Sequence, residues 1–399
     1  FSNTITAYGM FTELRNPGIR NYGKNEDPHA GGRTVFTYKS SKASGDVNII
    51  AGAEWQQSFS SALVYKNKAG QPDTLQSLDD VPVRQALAFL QAAFRRGGWE
   101  LTAGGSLNFL RLAFRRSVPF PLPEQNRRFN NEIAPRLSVA KTFAALVVYA
   151  SVAKGFSPPT VAELLPTGSN INLELKPEQG VNYDVGIRGG WKEFSFDVNA
   201  FVFSLQNTIA QRRDAGGGDY YLNAGKTAQR GVETFITHQL FKNLSFLKEG
   251  SVWVSHTWHH FRYKEFKQLT TDFSGKRLPG VAPHTVSAGV DASALNGLQF
   301  NLNYYYSDRI ALNDANNEYA KQYHLLNAKF GFEKNLRNFC KIKLTAGVDN
   351  ALNQTYSLGP DINAFGGRYY NAAPNRSFYL SITAMFLANR NQPSQPSID

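Results

Sequence analysis

Cysteine is almost missing from this chain. Of its 399 residues only Cys340 is a cysteine. A single cysteine excludes an internal disulfide and any metal cluster held by several thiolates. We therefore expect Cys340 to be a buried packing residue, and we predict neither a metal site nor a cofactor.

Long apolar runs are missing as well. No stretch reaches the ~18 apolar residues of a membrane-spanning helix, and the mean hydropathy is −0.37. A helical membrane protein is therefore excluded. A membrane β-barrel is not, because its polar lumen-facing residues lower the mean hydropathy.

Motifs of the common enzyme classes are also absent. Neither Gly-x-Ser-x-Gly nor Gly-x-Gly-x-x-Gly occurs. Gly225-Lys226-Thr227 looks like the end of a phosphate-binding loop, but Tyr220 stands where that loop needs glycine. His256 and His260 share one face of a predicted strand about 13 Å apart, too far for one Zn²⁺ with ~2.1 Å bonds. We predict that the chain is not an enzyme and has no catalytic residues.

The formal net charge is +12, but the basic residues are scattered along the chain. Neither a basic helix nor a run of five like charges occurs. This distribution argues against nucleic acid as a partner and favours an anionic ligand or the phosphates of lipopolysaccharide.

Alternation of apolar and polar residues is the dominant pattern. In the segment 182–205, Phe194, Phe196 and Val198 alternate with Ser195 and Asp197. Period two is typical of a strand with one apolar and one polar face. With Gly189-Gly190 as the predicted turn, the segment forms a hairpin of strands about ten residues long, the length of a tilted membrane-crossing strand.

The whole chain repeats this unit, which predicts about sixteen antiparallel strands in a transmembrane barrel. Short turns are predicted near Arg96, Lys141, Gly190, Lys242, Asn296 and Asn335. Longer loops alternate with them, including one from Tyr65 to Val83. Short turns at one end and long loops at the other are typical of outer-membrane barrels, with the short turns in the periplasm.

Six short motifs follow one another between Val148 and Phe386. Their residues are Gly155, Phe156 and Pro158; Pro177 and Glu178; Asn223, Gly225, Gly231 and Glu233; Pro279 and Pro283; Asn350 and Asn353; Pro374 and Arg376. Together and in this order they resemble the barrel of TonB-dependent outer-membrane receptors. Glycine and proline at these places suit strand ends, so we expect the motif residues to shape the backbone rather than to touch ligand.

The resemblance implies a bacterial outer-membrane location and a 22-stranded barrel plugged by an N-terminal domain. Residues 1–386 are expected to be part of such a barrel, without the plug, and 387–399 a polar C-terminal tail. The TonB complex would act through the missing N-terminal region. Lipid and lipopolysaccharide are the other expected partners.

The implied function is TonB-dependent uptake of a scarce nutrient. A metal chelate, above all a ferric siderophore, is the leading expectation. Uptake of vitamin B12 or a glycan by the same family, passive diffusion through a porin, and a surface adhesin are the alternatives.

The segment 206–226 is the predicted ligand-binding loop. It carries Arg212 and Arg213, then a glycine run, then Tyr220 and Tyr221. Guanidinium groups bind carboxylate, catecholate or hydroxamate oxygens, and tyrosines supply rigid contact area. The alternative is a solvated loop whose arginines contact lipopolysaccharide phosphates.

Overall fold

The structure is a computed structural model that describes residues 1–18, 21–165, 171–213, 219–268, 270–336 and 340–386. The first strands are β1 (Ser2–Pro17), β2 (Asn21–Lys42), β3 (Gly45–Lys68), β4 (Gln71–Arg96), β5 (Trp99–Val118), β6 (Gln125–Arg128), β7 (Glu132–Phe143) and β8 (Leu146–Ser157). A four-residue helix α1 (Val161–Leu164) follows, then β9 (Glu178–Trp191), β10 (Phe194–Gln206), β11 (Ile209–Arg213), β12 (Asp219–Asn223), β13 (Lys226–Leu244) and β14 (Leu247–Glu265). The last elements are β15 (Lys267–Gln268), β16 (Thr271–Asp272), β17 (His284–Ala294), β18 (Leu298–Ser307), β19 (Ile310–Ala311), β20 (Tyr319–Ala320), β21 (Tyr323–Leu336), β22 (Cys340–Asp349), a 3₁₀ turn (Phe365–Gly367) and β23 (Ser377–Phe386).

Sixteen of these strands have ten or more residues. They and β6 belong to one sheet of seventeen strands. The predicted all-β class and the predicted number of long strands are therefore confirmed. Within the described residues, no helix is long and apolar enough to cross a membrane.

The chain divides into two compact units. Unit 1 comprises Phe1–Gly186, Phe201–Gln229 and Arg262–Gly275, and unit 2 comprises Ile187–Ala200, Arg230–Phe261 and the chain from Lys276 onward. In unit 1, antiparallel pairing follows chain order from β1 to β5 and continues through β7 to β8. In unit 2 it runs from β14 through β17, β18, β21 and β22 to β23. Sequential antiparallel neighbours were predicted, and these ranges confirm them.

The turn predicted near Arg96 is confirmed by a tight turn at Gly97-Gly98. Three others lie a few residues beyond their predicted positions, at Ala144-Ala145, Lys192-Glu193 and Ser245-Phe246. Gly189 and Gly190 were wrongly assigned to a turn, because β9 continues through them to Trp191. Lys192 instead adopts the left-handed backbone, with φ of 51°, and the Trp191 ring packs 5.3 Å from that of Phe194. The predicted turn at Asn296-Gly297 is confirmed, since β17 ends at Ala294 and β18 begins at Leu298.

The prediction of a loop from Tyr65 to Val83 is wrong. β3 and β4 run through this segment and meet at the turn Ala69-Gly70. Polar side chains hold the two strands together there, for example Ser61 Oγ, which donates to Asp80 at 2.7 Å. At ~3.3 Å per residue, the 26 residues of β4 extend far beyond the ~30 Å hydrocarbon core of a bilayer. The polar segment therefore belongs to strands that are longer than a bilayer crossing requires, and not to a loop.

Strand register in unit 2 sorts the side chains onto two faces. Phe300 lies opposite Phe330, which lies opposite Ala346, which lies opposite Leu380. Directly opposite residues share a face of a sheet, so this row is apolar across four strands. The adjacent row contains Asp291, Asn301 and Lys329 and is polar. We predicted that the apolar sets face lipid, namely Phe194, Phe196 and Val198; Phe300, Leu302 and Tyr304; Ile342, Leu344 and Ala346; and Phe378, Leu380 and Ile382.

Candidate functional site

The predicted ligand loop folds as a small hairpin in unit 1. β11 pairs with β12, which places Arg212 opposite Tyr220. Arg212 is only 5% exposed, and its Cζ lies 5.3 Å from the centroid of the Phe266 ring. Its Nη1 donates to the carbonyl oxygen of Gln211 at 2.8 Å. Arg212 therefore packs the β11–β12 hairpin against Phe266. A ligand would reach the guanidinium group only after this packing opens.

The other residues of the predicted loop have different surroundings. Tyr220 is 37% exposed, whereas Tyr221 packs against a buried cluster of Leu112, Phe129, Leu164 and Leu175. The side chain of Arg213 and the residues 214–218 lie outside the described part of the chain. Ligand binding by Arg212, Arg213, Tyr220 and Tyr221 stays a prediction.

Asn223, a motif residue, joins three segments of unit 1. Its Oδ1 accepts from the backbone N–H of Lys176 at 2.9 Å, and its Nδ2 donates to the Lys176 carbonyl at 3.0 Å. The same Nδ2 donates to the carbonyl of Asn207 at 2.7 Å. Asn223 thus completes backbone hydrogen bonds that no strand supplies at this point.

Replacing Asn223 with alanine should loosen this junction. The change removes three hydrogen bonds, one of them part-buried, and each such bond contributes about 0.5–1.5 kcal/mol. We expect hydrogen exchange of the amides around Lys176 to accelerate by about tenfold or more. The control is Asn126→Ala, because Asn126 is exposed and its side chain donates to the exposed Glu124 carboxylate at 3.0 Å. Equal exchange in the two variants would contradict a joining role.

Glu178 and Gly225 complete the same junction. The Glu178 carboxylate accepts from the backbone N–H of Ile209 at 2.7 Å. Burial raises the pKa of this carboxyl group above its ordinary value, and the Ile209 hydrogen bond opposes that rise. Gly225 adopts a φ of +63°, and a Cβ there would collide with the carbonyl oxygen of Glu265. Glycine is therefore required where the chain leaves the hairpin and enters β13.

Asn350 and Asn353 play a similar part in unit 2. The Asn350 side chain donates to the carbonyls of Gln354 and Pro374, at 2.8 Å and 3.3 Å. Asn353 Oδ1 accepts from the backbone N–H of Arg376 at 3.0 Å. These bonds fix the turn after β22 against the chain that enters β23.

The remaining motif residues lie within strands or near strand ends, except Pro279, which lies in a turn between β16 and β17. Phe156, Pro158 and Pro177 line one small apolar cavity, Pro279 is buried, Pro283 accepts from the His259 backbone N–H at 2.8 Å, and Gly155, Gly231 and Glu233 lie within strands. For these residues a role in shaping the backbone stays a prediction.

A basic pocket in unit 1 escaped the sequence reasoning. It has a volume of about 390 Å³, and its lining includes Arg127, Arg128, Lys176, Glu132 and Gln179. The connections that follow β5 and β8 supply the three cations. The adjacent pair Arg127-Arg128 in a proline-rich segment was the available signal, but Lys176 is 48 residues further along the chain and no pattern links it to that pair.

Arg127 is the most enclosed cation of this basic pocket. Its Cζ lies 4.3 Å from the centroid of the Phe129 ring, and its Nη2 donates to the carbonyl of Leu175 at 2.5 Å. Its Nη1 is buried and has no hydrogen-bond partner among the described residues. Burial lowers the pKa of this guanidinium group, and the nearby Glu174 carboxylate opposes the change.

One histidine pair links two strands of unit 2. His256 Nε2 on β14 lies 3.1 Å from His284 Nδ1 on β17. Within the described ranges, no group of three or more His, Cys, Asp or Glu side chains is arranged to hold a metal ion.

Comparison with solved structures identifies relatives of this fold. The chain is similar to the ferric citrate transporter FecA in its unliganded form, with a TM-score of 0.79, 16% identity, and coverage of 96% of this chain and 59% of that one. It is similar to the siderophore receptor PiuA from Acinetobacter baumannii, with a TM-score of 0.73, 14% identity, and coverage of 96% and 62%. It is similar to the copper transporter OprC, with a TM-score of 0.72, 14% identity, and coverage of 92% of this chain and 58% of that one. The chain thus spans about three fifths of the length of these proteins, and at such identities the likeness shows the fold.

A family model establishes the assignment. The model described as "TonB dependent receptor-like, beta-barrel" matches residues 1–351. Barrels of this family reside in the bacterial outer membrane, and the family consists of transporters rather than enzymes. The chain therefore belongs to the TonB-dependent receptor-like β-barrel family.

Proposed function

We propose that this chain is the barrel part of an outer-membrane receptor that imports a metal chelate, with a ferric siderophore as the preferred class. The match of residues 1–351 to the family barrel carries the receptor assignment. Transport by this family is coupled to the TonB complex, which would act through a part of the receptor beyond this chain.

The choice of a metal chelate has two supports. Among the similar structures are a ferric citrate transporter and a siderophore receptor. A copper transporter is also among them, which extends the range of candidate metals from iron to copper. The formal net charge of +12 and the three cations of the basic pocket favour an anionic ligand, as many ferric chelates are.

Uptake by living cells tests the proposal. A strain that lacks the gene should lose growth on one or a few ferric siderophores under iron limitation, and the restored gene should return both growth and ⁵⁵Fe accumulation. Deleting tonB in the restored strain should abolish that accumulation.

The alternatives give different results in the same assay. Uptake that persists without TonB would indicate a porin. A requirement for the gene only during growth on vitamin B12 or an oligosaccharide would replace the metal chelate as the substrate class.

A further inference from the structure

We propose that the basic pocket binds a compact polyanion through carboxylate or phosphate oxygens, and that it is a recognition subsite for the imported ligand. The second statement rests on the proposed function. The first concerns Arg127, Arg128 and Lys176 alone and holds or fails independently.

The lining of the basic pocket carries more positive than negative charge. Within the described residues, none of the three cations forms an ion pair. The carboxylate in the lining, Glu132, is already engaged: Lys154 Nζ lies 3.6 Å from its Oε2, and Gln179 donates to its Oε1. The Glu174 carboxylate near Arg127 offsets part of the charge of these three cations, and the local potential of the pocket stays positive.

The unsatisfied guanidinium nitrogen is the second argument. Arg127 is held in place by the Phe129 ring and the Leu175 carbonyl, yet its buried Nη1 has no hydrogen-bond partner in the described chain. Buried polar groups in native proteins are almost always paired, and an unpaired one calls for an explanation. An anion oxygen that enters the pocket beside Arg127 would supply the missing acceptor after a rotation of the guanidinium plane.

Size and lining chemistry define the ligand class. The volume of about 390 Å³ falls at the lower end of the range of ordinary small-molecule sites. Asn130, Gln179 and Asn207 add amide groups to the lining, and these can donate to oxyanions or accept from hydroxyl groups. A tricarboxylate, a pyrophosphate or the phosphate of a lipid headgroup share this chemistry.

Calorimetric titration of the 399-residue chain in detergent micelles tests the inference. The probes are citrate, inorganic pyrophosphate and vesicles that contain lipid A, each at low and at physiological salt. Wild type should bind citrate or pyrophosphate. Arg128→Ala should bind about tenfold more weakly, and Arg128→Ala with Lys176→Ala about a hundredfold more weakly, because each change removes a charge-assisted hydrogen bond. Arg128→Lys should lie between wild type and Arg128→Ala, since lysine keeps the charge but loses the bidentate fork.

Lys267→Ala is the matched control. Lys267 is an exposed cation of unit 1 that pairs with Asp272 at 3.8 Å and lies outside the pocket lining. Its loss should leave the affinity within about twofold of wild type. An equal loss in this control would overturn the inference in favour of a diffuse field of positive charge. Circular dichroism and heat-modifiable gel mobility verify that every variant keeps its strands.

The remaining outcomes separate the sources of the anion and the two proposals. Binding of lipid A vesicles without binding of either soluble anion would overturn the role as an import subsite and assign the pocket to lipid. No binding of any probe by wild type would overturn the inference entirely. Siderophore uptake that is normal with Arg128→Ala and Lys176→Ala would remove the pocket from recognition and leave the receptor proposal intact. Anion binding that requires Arg128, in a protein that imports no chelate, would support the pocket as an anion site and overturn the receptor proposal.

Discussion

Replacing Asp79 with alanine is expected to destabilise the paired segments 77–83 of β4 and 112–118 of β5 by about 3–5 kcal/mol. This is the usual cost of removing one partner of a buried ion pair. Arg116 Nε and Nη2 donate to the two Asp79 carboxylate oxygens at 2.6 Å and 2.9 Å. The side chains of Asp79 and Arg116 are only 3% and 12% exposed, respectively. Val81 and Phe114 beside them are fully buried. The substitution would leave the guanidinium group in this site without its carboxylate, so the loss includes the desolvation of an uncompensated charge.

Hydrogen exchange read by mass spectrometry measures this effect on the segment 77–83 and its partner 112–118. Exchange should accelerate by at least about a hundredfold in Asp79→Ala. Arg115→Ala supplies the control, because Arg115 is 60% exposed and exposed pairs contribute at most about 1 kcal/mol. If Arg115→Ala opened the segment as much as Asp79→Ala, burial of the pair would not be what stabilises these strands.

Replacing Leu302 with arginine is expected to impair assembly into the outer membrane. Leu302 lies opposite Val290 on one side and Ala328 on the other, in an apolar row of unit 2. If that row faces lipid, a central arginine costs about 2–4 kcal/mol. Folded barrel in the membrane fraction should therefore decrease.

Asn301→Arg is the matched comparison, because neighbouring positions on β18 share depth but not face. Asn301 donates to the Asp291 carboxylate, and an arginine there would meet that same carboxylate on the polar face. We expect assembly close to wild type, measured by heat-modifiable mobility and by surface labelling of intact cells. Equal loss of folded barrel in the two variants would refute the assignment of the two faces.

The sequence by itself determined the strands wherever one face is apolar. In β18 the alternation of Phe300, Leu302 and Tyr304 with polar neighbours is a local property, so it could be read without knowledge of the partner strands. The order of short motifs, such as Asn223 with Gly225, was also sufficient to indicate the family. These features depend on residues a few positions apart, whose spacing along an extended chain is fixed by backbone geometry.

Only the tertiary structure decided the rest. The segment 65–83 is rich in polar residues and lacks a regular alternation of apolar and polar positions, so its strands gave no period-two signal. Arg212 looked available for a ligand until the fold placed it against Phe266, 54 residues later in the chain. The basic pocket joins Arg128 to Lys176, which lie on different connections. Alternation reports which face of a strand meets an apolar environment, whereas contacts between connections depend on how distant segments come together, and the local pattern carries no record of that.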